Sequence, residues 1–391
     1  MQETELSGAA RDVDVLILGG GQAGLAAGFY LNRLRRDAAA GRSGPAPTFA
    51  ILDCNEQPGG AWQHYWDSLE LFSPAVYSSL PGYQMPPWQG GGNPSARHVV
   101  DYLRTYETRY GLPVHRPVTV TAVQHEPGGG YATDTDQGQW TSRAVISATG
   151  NWNAPYIPQL PGSGLFTGEQ LHTTGYRGRD TYAGLRIIVV GGANSGAQIV
   201  ADLAPVADVT WVTRKPPHYL PDDIDGRALF QIATHHARAV ANGETSPGSV
   251  ASFGDIVAVP AVKAARDAGQ LNSRPMFSRF IPGGVQWDDG GQLEADVIIW
   301  CTGFRPDLQH LQPLDLTTRN GIPETGEDLA TRSTDHRNLF FLGYGDWCGP
   351  ASATLIGVGA MARDTVKALA QYLDKKPQML AALNVNGDGA A

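Results

Sequence analysis

Val13-Asp14-Val15-Leu16-Ile17-Leu18 runs directly into Gly19-Gly20-Gly21-Gln22-Ala23-Gly24, and far along the chain Leu185-Arg186-Ile187-Ile188-Val189-Val190 runs directly into Gly191-Gly192-Ala193-Asn194-Ser195-Gly196. In both places a buried-strand run precedes the glycines and a helix-compatible run follows them, which is the context a dinucleotide fingerprint requires. The first glycine allows the tight turn, the second lets backbone approach a pyrophosphate, and the third lets helix pack on strand. The free N–H groups and the positive dipole end of the helix N-terminus then face the phosphates. Two such units predict an α/β protein with two Rossmann-like dinucleotide-binding domains, a larger one and a smaller one inserted into it.

The bulk numbers agree with that reading. A chain of 391 residues is too long for one ordinary core, and 42% hydrophobic with 17% charged residues describes a globular protein. A net charge of −9 argues against nucleic-acid or anionic-membrane partners. No run reaches the roughly 18 apolar residues a membrane helix needs. The acidic start Met1-Gln2-Glu3-Thr4-Glu5 leads into a fold strand and does not read as a signal peptide. Cys54, Cys301 and Cys348 are too scattered for a disulfide framework or a CxxC redox pair, so the expected compartment is the cytoplasm. The ten histidines show no metal spacing: His235 and His236 are adjacent, and Asp222, Asp223 and Asp225 lack a matching ligand cluster. No metal site is expected.

Along the chain, the pattern predicts a helix over 22–35, a surface insertion over 37–47, and a strand over 48–53 that ends on the acid Asp53. A helix over 95–110 has Ser95 as its N-cap. Strands are expected over 118–125, 143–148, 209–213, 294–300 and 338–342, with a last helix from about Ala351. The Pro-rich stretch 153–164 reads as a linker and 216–285 as a less regular part of the second unit. The alternation of strand and helix implies open, mostly parallel sheets. The domains are then 1–160 with 306–391, and 161–305.

The two glycine sites differ in ways that assign their ligands. At the first, Gly19, Gly21, Gln22, Ala23 and Gly24 face the phosphates and Asp53 takes a ribose hydroxyl; the N-terminal position favours FAD. Asp53 lies further on than the usual ~20 residues, and the 37–47 insertion accounts for the excess. At the second, Gly191, Asn194, Ser195 and Gly196 stand with Ala193 at the middle glycine position, where a methyl suits a cofactor that exchanges. The following strand ends on Arg214-Lys215 and not on an acid, which favours a 2′-phosphate and hence NADPH, with NADH as a weaker alternative. Ala148-Thr149-Gly150 and Cys301-Thr302-Gly303 each end an apolar strand with residues small enough for the chain to cross close to a cofactor. Gly345-Asp346 stands ahead of the last helix, near the ribityl chain, with that helix aimed at the flavin carbonyl edge.

Between the two glycine units stands Phe166-Thr167-Gly168-Glu169-Gln170-Leu171-His172-Thr173-Thr174-Gly175-Tyr176. It resembles the F-x-G-x-x-x-H-x-x-x-[YF] fingerprint of flavin-containing monooxygenases, and Gly59-Gly60-Ala61-Trp62 and Cys301-Thr302-Gly303-Phe304 resemble two further motifs of that family. The likeness spans roughly residues 13 to 370 and is strongest to small bacterial members, a branch with sulfoxidising and Baeyer–Villiger activity and arsenic-operon relatives. Carried over on that resemblance, the FAD set gains Gly60, Ala61, Trp62, Val120, Ala148, Gly150, Gly345, Asp346 and Leu355, and the NADP set gains Cys301, Thr302 and Gly303. Phe166, Gly168, His172 and Tyr176 shape the linker and place NADP+. Ser78, Asn194 and His172 are the side chains nearest the chemistry. The family's usual flavin-contacting Asn is replaced by the Tyr77-Ser78-Ser79 region.

The resemblance implies that NADPH reduces FAD and that reduced FAD with O2 gives a C4a-hydroperoxide, which oxygenates a sulfide, an amine or a ketone. The ending Tyr176-Arg177, in place of the W-P or W-D of dedicated Baeyer–Villiger enzymes, favours heteroatoms. The implied partners are a small-molecule substrate and O2, and a homodimer is compatible with the sequence. The rivals are an NADPH–disulfide reductase, which needs a cysteine pair, and an electron-transfer flavoprotein reductase without oxygen insertion, which would normally lack the fingerprint.

Overall fold

The computed structural model describes residues 11–222 and 256–385. The chain opens with strand β1 (Arg11–Leu18), whose alternate residues point to opposite faces: Val15 and Ile17 into one core cluster, Leu16 and Leu18 into another. Burial on both faces is what a near-continuous apolar run predicts for a central parallel strand. β1 is followed by helix α1 (Gln22–Ala39), strand β2 (Phe49–Leu52) and helix α2 (Ala96–Tyr110). Ser95 caps α2 by accepting from the His98 N–H, and Gly111 ends it in the left-handed region. α1 runs through Ala39, past the expected boundary, because Asp37-Ala38-Ala39 continues a good helical stretch. The insertion therefore starts only at Ala40, where Arg42 reaches back to Asp37.

Strands β3 (Val114–His115), β4 (Val120–His125), β5 (Tyr131–Thr135) and β6 (Gly138–Ser147) complete the first half. β6 is longer than its apolar end suggests. Its first half pairs antiparallel with β5, and from Trp140 to Ser147 it lies parallel to β1.

The second unit holds β7 (Glu169–His172), β8 (Arg186–Val190), helix α3 (Asn194–Leu203), β9 (Asp208–Thr213), helix α4 (Pro260–Asp267), β10 (Ser273–Pro275) and β11 (Val297–Trp300). All five strands are parallel, in the order β10-β9-β8-β11-β7. The strand expected over 294–300 is split. Gln292–Glu294 belongs to a small antiparallel meander with Arg279–Ile281 and Gly284–Gln286, and the chain turns at Ala295 and Asp296, where Arg186 grips the Asp296 carboxylate at 2.7 Å. Of the stretch 216–285, Asp223, Asp225, His235 and His236 lie outside the described residues, and regular structure is present again from Pro260.

The chain then returns to the first sheet with β12 (Thr325–Gly326), β13 (Leu329–Ser333) and β14 (Leu339–Phe341), and closes with helix α5 (Val358–Val385) against α1. The order is β12-β13-β14-β6-β1-β2-β3, with β4 and β5 branching from β6. This sheet is mixed, not mostly parallel. β3, β2, β1, β6 and β14 run parallel, while short connections such as Gly128-Gly129-Gly130 force antiparallel hairpins around them. α5 begins at Val358 and not near Ala351. Ala351 sits at φ +55°, its N–H bonds the Asp346 carboxylate, and its carbonyl accepts from the Thr354 hydroxyl, so local turn chemistry outcompetes the helix. Among the described residues no helix is long and apolar enough to cross a membrane.

The strand ends that matter therefore lie in two crevices, one past β1, β6 and β14 and the other past β8, β11 and β7. The closeness of helix and strand at the first crevice can be tested. A Cβ on Gly24 would stand 1.9 Å from the Gly19 carbonyl oxygen, so Gly24→Ala should cost about 1–3 kcal/mol or more in denaturant unfolding. Gly44→Ala, with nothing within 4 Å, should stay within about 0.5 kcal/mol of the parent.

Candidate active site

The first crevice is a cradle made from absent side chains. Gly19 turns at φ +110°, where a Cβ would lie 2.3 Å from the Ala148 carbonyl oxygen. Gly21 is open: its Cβ would meet only the Gly60 Cα, at 3.8 Å. Gly60, itself at φ +54°, could carry no Cβ, which would stand 2.7 Å from the Gly21 Cα. Two bare backbones thus face each other at the N-terminus of α1, and a pyrophosphate fits that arrangement. Gln22 ties the cradle together, accepting from the Trp62 indole N–H at 3.0 Å and donating to the Ala353 carbonyl at 2.7 Å. Ala23 is buried beside Gly343, whose Cβ would lie 2.6 Å from that of Ala23. Ala61 is half-buried in the short helical turn Gly60–His64.

Asp53 ends β2 against this loop, 3% exposed. Its Oδ2 takes the Arg116 Nε at 2.7 Å and its Oδ1 the Asn55 amide at 2.9 Å, while Arg116 also forks onto Glu107 at 2.7 and 2.8 Å. A carboxylate has about four acceptor positions, so room for a ribose hydroxyl remains. The sequence reading missed Arg116 and Glu107; the only available signal was that a buried acid needs a cation. Val118 donates to the Asp53 carbonyl at 2.8 Å, and Val120 lies two residues further on at the start of β4.

Behind the cradle lies a polar chain whose direction is fixed. The Thr149 hydroxyl must donate to the Asp307 carbonyl (2.6 Å), so Tyr344 donates to Thr149 (2.7 Å), Ser147 donates to Tyr344 (2.5 Å), and His310 Nε2–H donates to Ser147 (3.0 Å). Burial lowers the His310 pKa to about 4, keeping the ring neutral. Next to this chain, Gly150 and Gly345 adopt φ +72° and +128°, Asp346 is exposed at the first turn of a short helix, and Leu355 is buried in the same core as Ala23.

The second crevice repeats the plan. A Cβ on Gly191 (φ +137°) would lie 2.2 Å from the Cys301 carbonyl oxygen, and one on Gly196 2.2 Å from the Gly191 carbonyl oxygen. Cys301-Thr302-Gly303 therefore stands to this cradle as Ala148-Thr149-Gly150 stands to the first. Ala193 occupies the open middle position, and the Asn194 side chain accepts from the Val257 N–H at 2.9 Å. Ser195 is half-buried in the first turn of α3. Arg214 and Lys215 are exposed just past β9, and the Lys215 carbonyl lies 3.8 Å from the Cβ position of Gly192, so this turn passes beside the cradle.

The fingerprint residues build the wall between the crevices. Phe166 packs on Phe280, and Gly168 leaves room for the Asp296 carbonyl, 2.4 Å from its Cβ position. The His172 Nδ1 accepts from the Thr174 N–H (3.3 Å) and its Nε2 donates to the Gly303 carbonyl (3.0 Å). Burial lowers its pKa, and both nitrogens are engaged, so His172 is a neutral tie and not an acid–base group. The Tyr176 hydroxyl donates to Asp202 at 2.7 Å. Ser78 is buried, with its hydroxyl 2.8 Å from that of Ser73 and 3.1 Å from the Pro74 carbonyl. Ser78, Asn194 and His172 thus serve three separate places and do not form one catalytic group.

Of the aromatic side chains that fill the space between the two units, sequence reasoning did not single out Trp152. Trp152 stacks on Phe304 at 5.8 Å and meets Tyr65 edge-on at 4.6 Å, and Trp66 meets Tyr176 at 5.7 Å. Arg177 donates to the His64 carbonyl at 2.9 Å. On the first unit, an apolar cavity of about 580 Å³ is lined by Ala75, Val76, Tyr83, Met85 and Trp88, beside the Tyr77-Ser78-Ser79 segment. All three cysteines are free. Cys301 lies in the core of the second unit with its thiol pushed up to about 12 by burial, Cys348 lies in that of the first, and Cys54 is exposed. Among the described residues no group of three His, Cys, Asp or Glu side chains is placed to hold a metal.

Residues 16–225, more than half of the chain, match the pyridine nucleotide-disulphide oxidoreductase family. A solved flavin-containing monooxygenase from Stenotrophomonas maltophilia is 44% identical, covers 93% of this chain and 99% of its own, and superposes with a TM-score of 0.81. The chain belongs to the flavin-containing monooxygenases. It is an oxidoreductase whose family uses a flavin and a nicotinamide cofactor. An uncharacterized oxidoreductase of Geobacillus kaustophilus is 28% identical over 89% of this chain and 95% of its own. An indole-3-pyruvate monooxygenase of Oryza sativa subsp. japonica is 27% identical over 78% of this chain and 81% of its own.

The buried polar chain makes a prediction for acid. His310 has a folded pKa below its ordinary 6.5, so the unfolded chain takes up the proton first as pH falls. Its contribution is full above pH 6.5 and is lost on the way down to about 4, by up to about 3 kcal/mol. His310→Gln, which can still donate to Ser147, should flatten that limb in urea titrations across this range. An unchanged limb would contradict the assignment.

Proposed function

We propose that this monooxygenase holds FAD in the Gly19–Gly24 cradle, takes NADPH in preference to NADH in the Gly191–Gly196 cradle, and transfers one atom of O2 to a soft nucleophile. The balance is NADPH, a proton, O2 and a thioether giving NADP+, water and a sulfoxide; an amine enters in the same way, and ketone insertion is the secondary activity. The observation that carries this reading is the pair of like-built cradles joined by the fingerprint wall.

Bound FAD supplies the two-electron carrier and the oxygen chemistry. The chain's own residues do the rest. Gly21 and Gly60 leave backbone bare for the pyrophosphate, Asp53 offers acceptor capacity to the ribose, and Gln22 holds Trp62 against the loop. His172 ties the fingerprint to Gly303, and the aromatic wall of Trp152, Phe304, Tyr65 and Trp66 keeps water from the space between the cradles. The cavity near Tyr77-Ser78-Ser79 has no charged lining residue, which supports a neutral, apolar substrate.

Turnover with ¹⁸O₂ and an aryl methyl thioether should give sulfoxide carrying the label, and a cyclic ketone should react more slowly. Unlabelled product, or NADPH consumed only to peroxide with every substrate, would overturn the reading. The nicotinamide preference rests on exposed cations. Arg214→Ala should raise the Michaelis constant for NADPH about tenfold to a hundredfold, the loss of a charge-assisted contact, while that for NADH stays nearly fixed. Equal effects on both would remove the 2′-phosphate assignment.

A further inference from the structure

Ten residues beyond the Gly60 side of the first cradle, the backbone of Glu70 meets the second unit. Glu70 pairs with Ser95 as an isolated antiparallel bridge; Leu71 donates to the Pro94 carbonyl (2.9 Å), and Leu69 accepts from the Ala96 N–H (3.2 Å). In an extended chain, successive peptide groups point to opposite sides, so the N–H and C=O of Glu70 face away from residues 94–96. They face α3. The Gln198 amide takes both, its Oε1 accepting from the Glu70 N–H at 3.2 Å and its Nε2 donating to the Glu70 carbonyl at 3.1 Å. A single buried side chain acts as the missing neighbouring strand.

Gln198 stands one helical turn beyond Asn194, the first residue of α3 at the second cradle. Trp66 and Leu69, from the same segment as Glu70, are buried in the core of the second unit with Ala197, Val200 and Ala201. A continuous covalent path therefore runs from Gly60 through Trp66 to Glu70, crosses two hydrogen bonds to Gln198, and ends at Asn194. Van der Waals packing around it is non-directional, whereas the paired amide bonds fix register along the segment. On this path the Gln198 side chain fixes register with both a donor and an acceptor.

We propose that Gln198 is a positioning residue that sets the approach of the two dinucleotide cradles, and so the geometry of hydride transfer, without touching either cofactor. This rests on the two-cradle reading given under Proposed function. Gln198→Met keeps length and helix propensity but removes both bonds. Gln198→Glu keeps the acceptor and places a second acceptor against the Glu70 carbonyl. Both are compared with the parent as flavin-loaded proteins reduced anaerobically by NADPH.

The expected result is flavin bleaching slowed about tenfold to a hundredfold at saturating NADPH, with the half-saturating concentration and the flavin content nearly unchanged. A merely structural residue would lower flavin content or the thermal midpoint and leave the saturated rate alone. Saturated rates equal to the parent's would overturn the inference. In the parent protein, the Glu70 amide should be strongly protected from hydrogen exchange, and exchange as fast as an exposed loop would overturn it whether or not the variants fold. A parent protein that no nicotinamide bleaches would instead remove the two-cradle reading itself.

Discussion

Each cradle depends on a contact that only glycine permits. At Gly19 and again at Gly191, the carbonyl of the residue ending a neighbouring strand occupies the space a Cβ would need, 2.3 Å away at Ala148 and 2.2 Å away at Cys301. These contacts bring the crossover of β6 over the turn after β1, and that of β11 over the turn after β8. They make the crevices narrow enough for backbone N–H groups to reach a phosphate. The third glycine of each set, Gly24 and Gly196, then seats the following helix on its strand. The same geometry is built twice in one chain whose family uses two cofactors, a flavin and a nicotinamide. The two cradles differ at the middle position, with bare Gly21 in one and the Ala193 methyl in the other.

What lies between the cradles is less regular and equally constrained. The segment from Gly60 to Leu71 starts as part of the first cradle, sends Trp66 and Leu69 into the core of the second unit and returns with Leu71 to that of the first, so the two units share packed residues and do not merely touch. The aromatic side chains there pack on one another, and His172, neutral and bonded through both ring nitrogens, fixes the fingerprint to the Gly303 turn.

Much of this was legible in the sequence because the determinants are local. A strand, a glycine turn and a helix lie within thirty residues of one another, and the small residues of Ala148-Thr149-Gly150 and Cys301-Thr302-Gly303 announce close crossings. The determinants that escaped are distant in sequence. Arg116 stands 63 residues from its partner Asp53, and Gln198 stands 128 from Glu70; neither pairing leaves a periodic or compositional trace. The late start of α5 was hidden by a run of small residues that read as helical until the left-handed Ala351 and its turn bonds are seen. The antiparallel β4-β5-β6 hairpins were hidden because β6 serves β5 as well as β1 and β14 along its length. The Ser78 hydroxyl is engaged within its own turn, which spacing along the chain does not announce.

The most direct measurement of the central claim follows both electrons and oxygen in one cycle. The flavin-loaded protein is bleached anaerobically with NADPH and then mixed with O2, with flavin absorbance, peroxide and sulfoxide recorded together at increasing thioether. If the account is right, peroxide falls as sulfoxide rises, and the return of the oxidised flavin spectrum responds to the thioether. Recovery of the spectrum at a rate indifferent to thioether, with peroxide accounting for all the oxygen consumed, would contradict it.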